Sequence, residues 1–174
     1  MCDPFASLEK NFGFGCMRLP MLGDDVDIPQ TKQMVDAFLD AGFCYFDTAH
    51  GYLNGKSELA VRECLTSRYP RDRYVLTDKL SFHYFKTEAD IRPLFQQQLE
   101  ACGVEYFDFY LMHALSAARM EQYEGAKAFE IAQELKAEGK IRHIGMSFHD
   151  TADVLDQILT RHPEVEVCRS SSTT

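Results

Sequence analysis

Four side chains capable of acid–base chemistry follow short apolar segments of the sequence. Asp47 comes directly after the apolar residues 44–46, Tyr52 lies five positions further on, and Lys79 and His113 end two later apolar segments. An ammonium paired with a carboxylate stays charged and stabilises a neighbouring tyrosinate, which makes the phenol a better proton donor. An imidazole beside it can donate a hydrogen bond to a substrate oxygen. Any one of these residues alone is more often a structural polar group, but the four together predict an acid–base site.

An alternation of short apolar strands and amphipathic helices is expected to bring these side chains together. The strands end at positions 17, 47, 79, 113 and 147, which are 30, 32, 34 and 34 residues apart. A repeating strand-plus-helix unit predicts an α/β fold with a parallel sheet, and the regular period favours a (β/α) barrel. No Gly-x-Gly-x-x-Gly motif follows a strand, so a Rossmann dinucleotide site is not supported. Helices are predicted from about residue 30, over 57–65, over 90–102, as one unbroken helix over 121–138, and from residue 151.

The composition argues against several classes of function. The 174 residues include 18 Lys+Arg and 27 Asp+Glu, a formal net charge of −9, with no basic cluster of the kind that nucleic-acid binding needs. No apolar run approaches the ~20 residues that span a bilayer. The first ten residues lack the basic and apolar regions of a secretion signal. We therefore expect a cytoplasmic protein without nucleic-acid or membrane partners.

The six cysteines are widely spaced and form no C-x-x-C pair. That spacing gives no zinc, iron–sulfur or redox motif, so we expect reduced thiols and no metal site. The cysteines are Cys2, Cys16, Cys44, Cys64, Cys102 and Cys168.

Several motifs around the candidate site resemble those of one enzyme family. Residues 40–52, DAGFCYFDTAHGY, and the following GKSE at 55–58 resemble the signature of the aldo-keto reductases. Lys79 in LTDK, His113 in YLMH and residues 139–147, GKIRHIGMS, resemble further motifs of that family. The resemblance extends from about residue 13 to residue 167. Residues 16–20 and 68–72 are most similar to bacterial members that carry a C-terminal iron–sulfur extension.

The resemblance implies a (β/α)8 TIM-type barrel that uses NADPH, or sometimes NADH, to reduce an aldehyde or ketone. Tyr52 would protonate the carbonyl oxygen, Lys79 held by Asp47 would make Tyr52 a better acid, and His113 would orient the carbonyl. Many members read Ser-Asn where this chain reads Ser147-Phe148, so one amide contact to the nicotinamide is not expected. The residues implied to bind the cofactor are Met17, Arg18, Asp47 and Ser147.

The length differs from what the resemblance implies. A (β/α)8 barrel typically needs ~250 residues, whereas this chain supplies five βα units and the start of a sixth strand at residues 165–168. We therefore expect a truncated barrel domain over residues 1–168, followed by a disordered polar tail over 169–174. The [4Fe-4S] extension of the longer relatives has no ligands here. An open barrel edge predicts self-association, and the missing units predict weak NADPH binding.

Three functional hypotheses follow. The first is an aldo-keto reductase whose own activity in this short form is open. The second is a non-catalytic, barrel-related protein-interaction subunit or an inactive fragment, against which the complete set of four catalytic residues argues. The third is a lyase or aldolase that uses Lys79 as a Schiff-base amine, although a Lys beside an Asp is charged and a poor nucleophile.

Overall fold

Strands alternate with helices along the whole described part of the chain. A computed structural model describes Phe5, Leu8 and residues 10–170. Its eight strands, in chain order, are β1 (Gly13–Gly15), β2 (Met21–Leu22), β3 (Asp25–Val26), β4 (Tyr45–Asp47), β5 (Val75–Leu80), β6 (Phe107–Leu115), β7 (Ile141–Phe148) and β8 (Val167–Ser170). Its six α-helices are α1 (Ile28–Asp40), α2 (Lys56–Val61), α3 (Glu88–Cys102), α4 (Ala117–Gly125), α5 (Ala128–Ala137) and α6 (Ala152–Arg161).

Six strands form one curled parallel sheet, and this arrangement confirms the predicted fold class. The strand order is β1-β4-β5-β6-β7-β8, and every neighbouring pair is parallel. The sheet follows chain order without reversal, as in a barrel and unlike a doubly wound sheet. The strands β2 and β3 form a separate antiparallel pair that the sequence pattern did not predict. The result is a half-barrel in which the carboxyl ends of all six strands lie on the same side.

Local sequence signals fix several helix ends. The Asp27 carboxylate accepts the Gln30 N–H at 2.9 Å and caps α1, as expected for an acidic N-cap residue. Thr87 and Asp90 form a capping box at the start of α3, and Gly103 ends that helix with a φ of 67°, which suits glycine. The chain therefore turns sharply between helix and strand, which keeps the βα repeat short.

The prediction of one unbroken helix over residues 121–138 is wrong. Helix α4 ends at Gly125 and α5 begins at Ala128, because Lys127 between them adopts a left-handed φ of 53°. The two halves pack on different targets. In α4, the Tyr123 hydroxyl donates to the carbonyl oxygens of Leu80 and His113 at the strand ends, whereas α5 packs along β7. Tertiary packing has overridden the helical periodicity.

The last strand extends beyond the predicted domain boundary. The expected limit at residue 168 falls inside β8, which pairs with β7 up to Phe148↔Ser170. Arg169 lies opposite Ser147 in that register and is therefore part of the sheet. Residues 171–174, and Cys2 near the other end, lie outside the described residues.

Side chains alternate between the two faces of the sheet. On β6, Tyr110 packs edge-to-face on Phe95 of α3, with ring centroids 4.9 Å apart. Its neighbour Phe109 lies on the concave face, 5.8 Å from Tyr45 and stacked on Phe5 at 5.1 Å. The helix side thus forms the main core, and the concave side is apolar, with Phe5 packed against it. Within the described ranges, no helix has both the length and the apolar character needed to cross a membrane.

Candidate active site

The predicted catalytic residues meet at the carboxyl ends of neighbouring parallel strands. Asp47 ends β4, Lys79 lies one residue before the end of β5, and His113 and Ser147 lie near the ends of β6 and β7. Tyr52 follows in a short 3-10 turn after β4. Catalytic residues of (β/α) barrels occupy this face, and the structure brings all five side chains to one place.

The Asp47–Lys79 ion pair lies at the centre of the site. The Lys79 ammonium donates to Asp47 Oδ1 at 2.7 Å and to the Thr48 carbonyl oxygen at 2.5 Å. The side chains of Lys79 and Asp47 are only 1% and 7% exposed. A buried ammonium is tolerated only when its donors are satisfied and its charge is paired. These two acceptors therefore hold Lys79 in one position.

The two carboxylate oxygens of Asp47 differ in their hydrogen bonding. Oδ1 accepts from both Lys79 and Arg169, the latter at 2.8 Å, whereas Oδ2 is buried and has no hydrogen-bond partner within the described part of the chain. A buried acceptor without a donor is costly. An incoming hydroxyl or N–H donor would satisfy this oxygen.

Tyr52 is held over Lys79 by a strained loop. The Lys79 nitrogen lies 4.7 Å from the centroid of the Tyr52 ring, a cation–π contact. Leu53 and Asn54, directly after Tyr52, both have left-handed φ values of 53° and 56°, which is costly for residues other than glycine. Such strain persists only where surrounding contacts fix the chain.

A chain of hydroxyl groups fixes that loop. Thr48 Oγ1 donates to Ser57 Oγ at 2.8 Å, and Ser57 Oγ donates to the Cys16 carbonyl oxygen at 2.9 Å. His50 Nδ1 donates a hydrogen bond to the Glu58 carboxylate at 2.9 Å. Both ends of the Tyr52 loop are thus tied to buried polar groups, so the phenol is positioned by its surroundings.

A bulge aims His113 into the site. The β6–β7 register shifts between Met112 and Leu115, and Ala114 inside the bulge has a φ of 55°. Bulges re-aim side chains and are frequent beside active sites. His113 Nδ1 lies 2.6 Å from Ser81 Oγ, and its ring meets the Tyr52 ring edge-on, with centroids 5.8 Å apart.

The electrostatic surroundings keep His113 neutral. Burial lowers its pKa, and the neighbouring Lys79 charge lowers it further, to about 4 from an ordinary value of 6.5. At pH 7 the ring therefore has one N–H and one bare nitrogen. If the proton is on Nε2, the Ser81 hydroxyl donates to Nδ1 and the Nε2–H is available to a substrate oxygen.

These side chains surround one cavity of about 420 Å3, a size typical of small-molecule sites. Met17 is half-exposed at its rim, and Ser147 accepts the Ala114 N–H at 2.6 Å while retaining its own hydroxyl proton. Arg18 is exposed in the turn after β1 and is not among the lining residues. The lining residues are Met17, Tyr52, Lys79, His113, Ser147, His149, Arg169 and Ser170.

Two participants were not predicted from the sequence. Ser81 lies two residues after Lys79, and period-two alternation along β5 could have placed it on the same face. Arg169 was assigned to a disordered tail, and its contact with Asp47 joins residues 122 positions apart. No local pattern could have indicated that contact.

The comparisons with known proteins agree with this geometry. The model of the aldo/keto reductase family matches residues 11–170. An aldo-keto reductase of Mycobacterium avium is 31% identical over 157 residues, which cover 85% of this chain and 50% of that protein.

Solved structures show the same fold. An aldo-keto reductase from Klebsiella pneumoniae in complex with NADPH gives a TM-score of 0.72 at 25% identity and covers 90% of this chain and 52% of its own. The holo form of an aldo-keto reductase from Bacillus halodurans gives 0.75 at 27% identity, with 92% and 53% covered. The chain thus spans about half the length of the relatives it matches. On the family match and the site geometry together, the chain belongs to the aldo/keto reductase family.

Proposed function

We propose that this chain carries the catalytic face of an NADPH- or NADH-dependent reductase that acts on a small aldehyde or ketone. The observation that carries the proposal is the position of the buried Lys79 ammonium. It lies 2.7 Å from the Asp47 carboxylate and 4.7 Å from the centroid of the Tyr52 ring. The NADPH complex of the Klebsiella pneumoniae relative supports the class of cofactor.

Four residues of this chain have separate roles in the proposed proton transfer. A reduced nicotinamide held at this site would supply the hydride and would be left oxidised. Tyr52 gives its phenolic proton to the carbonyl oxygen, and the charge left on the phenolate is stabilised by Lys79. Asp47 keeps Lys79 charged and in place, and neutral His113 hydrogen-bonds the carbonyl oxygen and orients it for attack.

Two polar groups support binding of one end of a nicotinamide cofactor. The Ser147 hydroxyl lines the cavity and can donate to a carboxamide oxygen, and the buried, unpartnered Oδ2 of Asp47, which is not itself a lining residue, is the proposed acceptor for a ribose hydroxyl. Met17 borders the same space. Arg18 lies outside the cavity, and only its backbone is proposed to contact the cofactor.

The Schiff-base alternative is less compatible with the geometry. The Lys79 nitrogen donates to two oxygen atoms, one of them on a carboxylate. A lysine nucleophile needs a neutral amine, and this environment favours the ammonium. A protein-interaction role alone does not account for a buried ion pair placed against a tyrosine ring.

Replacing Tyr52 tests the proposed function. The Tyr52→Phe variant keeps the ring over Lys79 and removes the transferable proton, so NADPH oxidation with nitrobenzaldehyde should fall roughly 100-fold or more. Tyr106→Phe is the matched control because Tyr106 precedes β6, at the end of that strand opposite His113, and does not line the cavity. Tyr52→Phe turning over at the wild-type rate, or an inactive wild-type chain, would contradict the proposal.

The neutral state of His113 has its own test. An imidazole NMR titration should place its midpoint near 4, the pKa set by burial and by Lys79. Between pH 6.5 and 4 the unfolded chain takes up this proton and the folded chain does not, so His113 lowers the free energy of unfolding as the pH falls through that window. His113→Gln should remove this part of the pH dependence. A midpoint at the ordinary value of 6.5 would show that the ring is not held neutral.

We further propose that the chain self-associates through the open side of the half-barrel. The outer strands β1 and β8 have free edges within the described sheet, and edge strands favour pairing. Between them lies an apolar cavity of about 390 Å3 bordered by Phe12, Tyr45, Leu111 and Val167.

Size-exclusion chromatography with light scattering, which measures the mass of the eluting protein, tests this association. The wild-type chain should have more than the monomer mass, and Phe12→Lys should shift it toward monomer because Phe12 is 67% exposed beside that cavity. Leu59→Lys is the control, since Leu59 is also exposed but lies on α2, away from this face. A monomeric wild-type chain would refute self-association.

A further inference from the structure

Arg169 reaches from the last strand of the sheet into the proposed reaction cavity. Its strand position is opposite Ser147, and its Nη1 donates to Asp47 Oδ1 at 2.8 Å. The side chain is 55% exposed and lines the same cavity as Tyr52 and His113. One cationic group is therefore held at the mouth of the cavity and remains accessible from it.

Most of the hydrogen-bonding capacity of Arg169 is unused. A guanidinium has five N–H donors in a planar fork that matches a carboxylate. Asp47 is its one hydrogen-bond partner in the part of the chain that the structure describes. A half-exposed ion pair of this kind contributes little to stability, so stability alone gives Arg169 little reason to be at this position.

The charges around the cavity are not balanced. Lys79 and Arg169 are the two lysine or arginine side chains among the described lining residues, and those residues include no carboxylate. Asp47 contacts both cations through the same oxygen and supplies one negative charge for two positive ones. A negative charge on a bound molecule would restore the balance.

We propose that Arg169 is an anion subsite that selects carbonyl substrates with a carboxylate beside the reacting carbonyl, that is, small 2-oxo acids. The inference rests on the proposed reductase function. The carboxylate binds the free donors of Arg169, and the adjacent carbonyl oxygen is directed to Tyr52 and His113. Asp47 anchors the guanidinium and limits its loss of conformational freedom on binding.

A ratio of two substrates tests this selection. For each variant, kcat/KM for pyruvate is divided by that for methyl pyruvate, its neutral ester, so that any general effect on the shared chemical step cancels. Arg169→Gln should lower the ratio roughly 10- to 100-fold, the range expected for a charge-assisted hydrogen bond. Arg169→Lys should recover part of it. Arg161→Gln, an exposed arginine of α6 paired with Glu124, should leave it unchanged. An unchanged ratio in Arg169→Gln overturns the proposal.

A binding measurement separates this proposal from the reductase function. Oxamate, an unreactive analogue of pyruvate, is titrated into the full chain and followed by NMR. Saturable binding that weakens at least tenfold in Arg169→Gln supports the anion subsite even if no carbonyl is reduced, and in that case only the reductase function fails. Equal oxamate affinity in the wild type and Arg169→Gln, or no binding in either, refutes the subsite.

Discussion

The buried contact between Asp47 and Lys79 is the interaction on which the rest of the site depends. Burying an ammonium costs several kcal/mol unless it is fully paired, and here a carboxylate oxygen at 2.7 Å and a backbone carbonyl oxygen at 2.5 Å offset that cost. Both acceptors come from the end of β4. The pair can form only when β4 and β5 are in the observed register, Asp47↔Thr77, which places Lys79 two residues further along on the same face. The site therefore depends on the register of these two strands.

The remaining candidate catalytic groups are arranged around that pair by backbone irregularities. Tyr52 follows a regular strand but sits in a loop with left-handed residues, and the hydroxyl chain from Thr48 to Cys16 holds this loop in place. His113 owes its direction to a bulge whose Ala114 N–H is satisfied by Ser147. Strain is concentrated at functional sites where other contacts compensate for it. In this half-barrel the regular strands bring the residues together, and the left-handed residues and the bulge set the directions of the Tyr52 and His113 side chains.

Much of the fold and part of the site could be predicted from the sequence. The later apolar strands and the positions of Asp47, Lys79, His113 and Ser147 at or near strand ends follow from local patterns and agree with the structure. The first strand ends at Gly15 rather than at the predicted residue 17, and α2 ends at Val61 rather than at the predicted residue 65. The break at Lys127 could not be predicted in this way. Hydrophobic periodicity carries no information about the hydrogen bonds of Tyr123 with the strand ends. Arg169 could not be predicted either, since its polar surroundings in sequence resemble a tail and its role comes from a partner 122 residues away. Local patterns identify the elements and several helix ends, whereas contacts distant in sequence break the chain at Lys127 and place Arg169 in the site.

We propose that Asp47 and Tyr52 act as one unit through Lys79, which contacts both side chains. A double-mutant cycle on kcat at saturating cofactor and substrate, with Asp47→Asn, Tyr52→Phe and the double variant, measures that coupling without the proposed binding contacts of Asp47. In the chemical step Asp47 acts only by holding Lys79 beside Tyr52, so its loss costs little once Tyr52 can no longer give a proton. The double variant should then be about as slow as Tyr52→Phe alone. Losses that multiply, with the two substitutions acting independently, would contradict this account of the site.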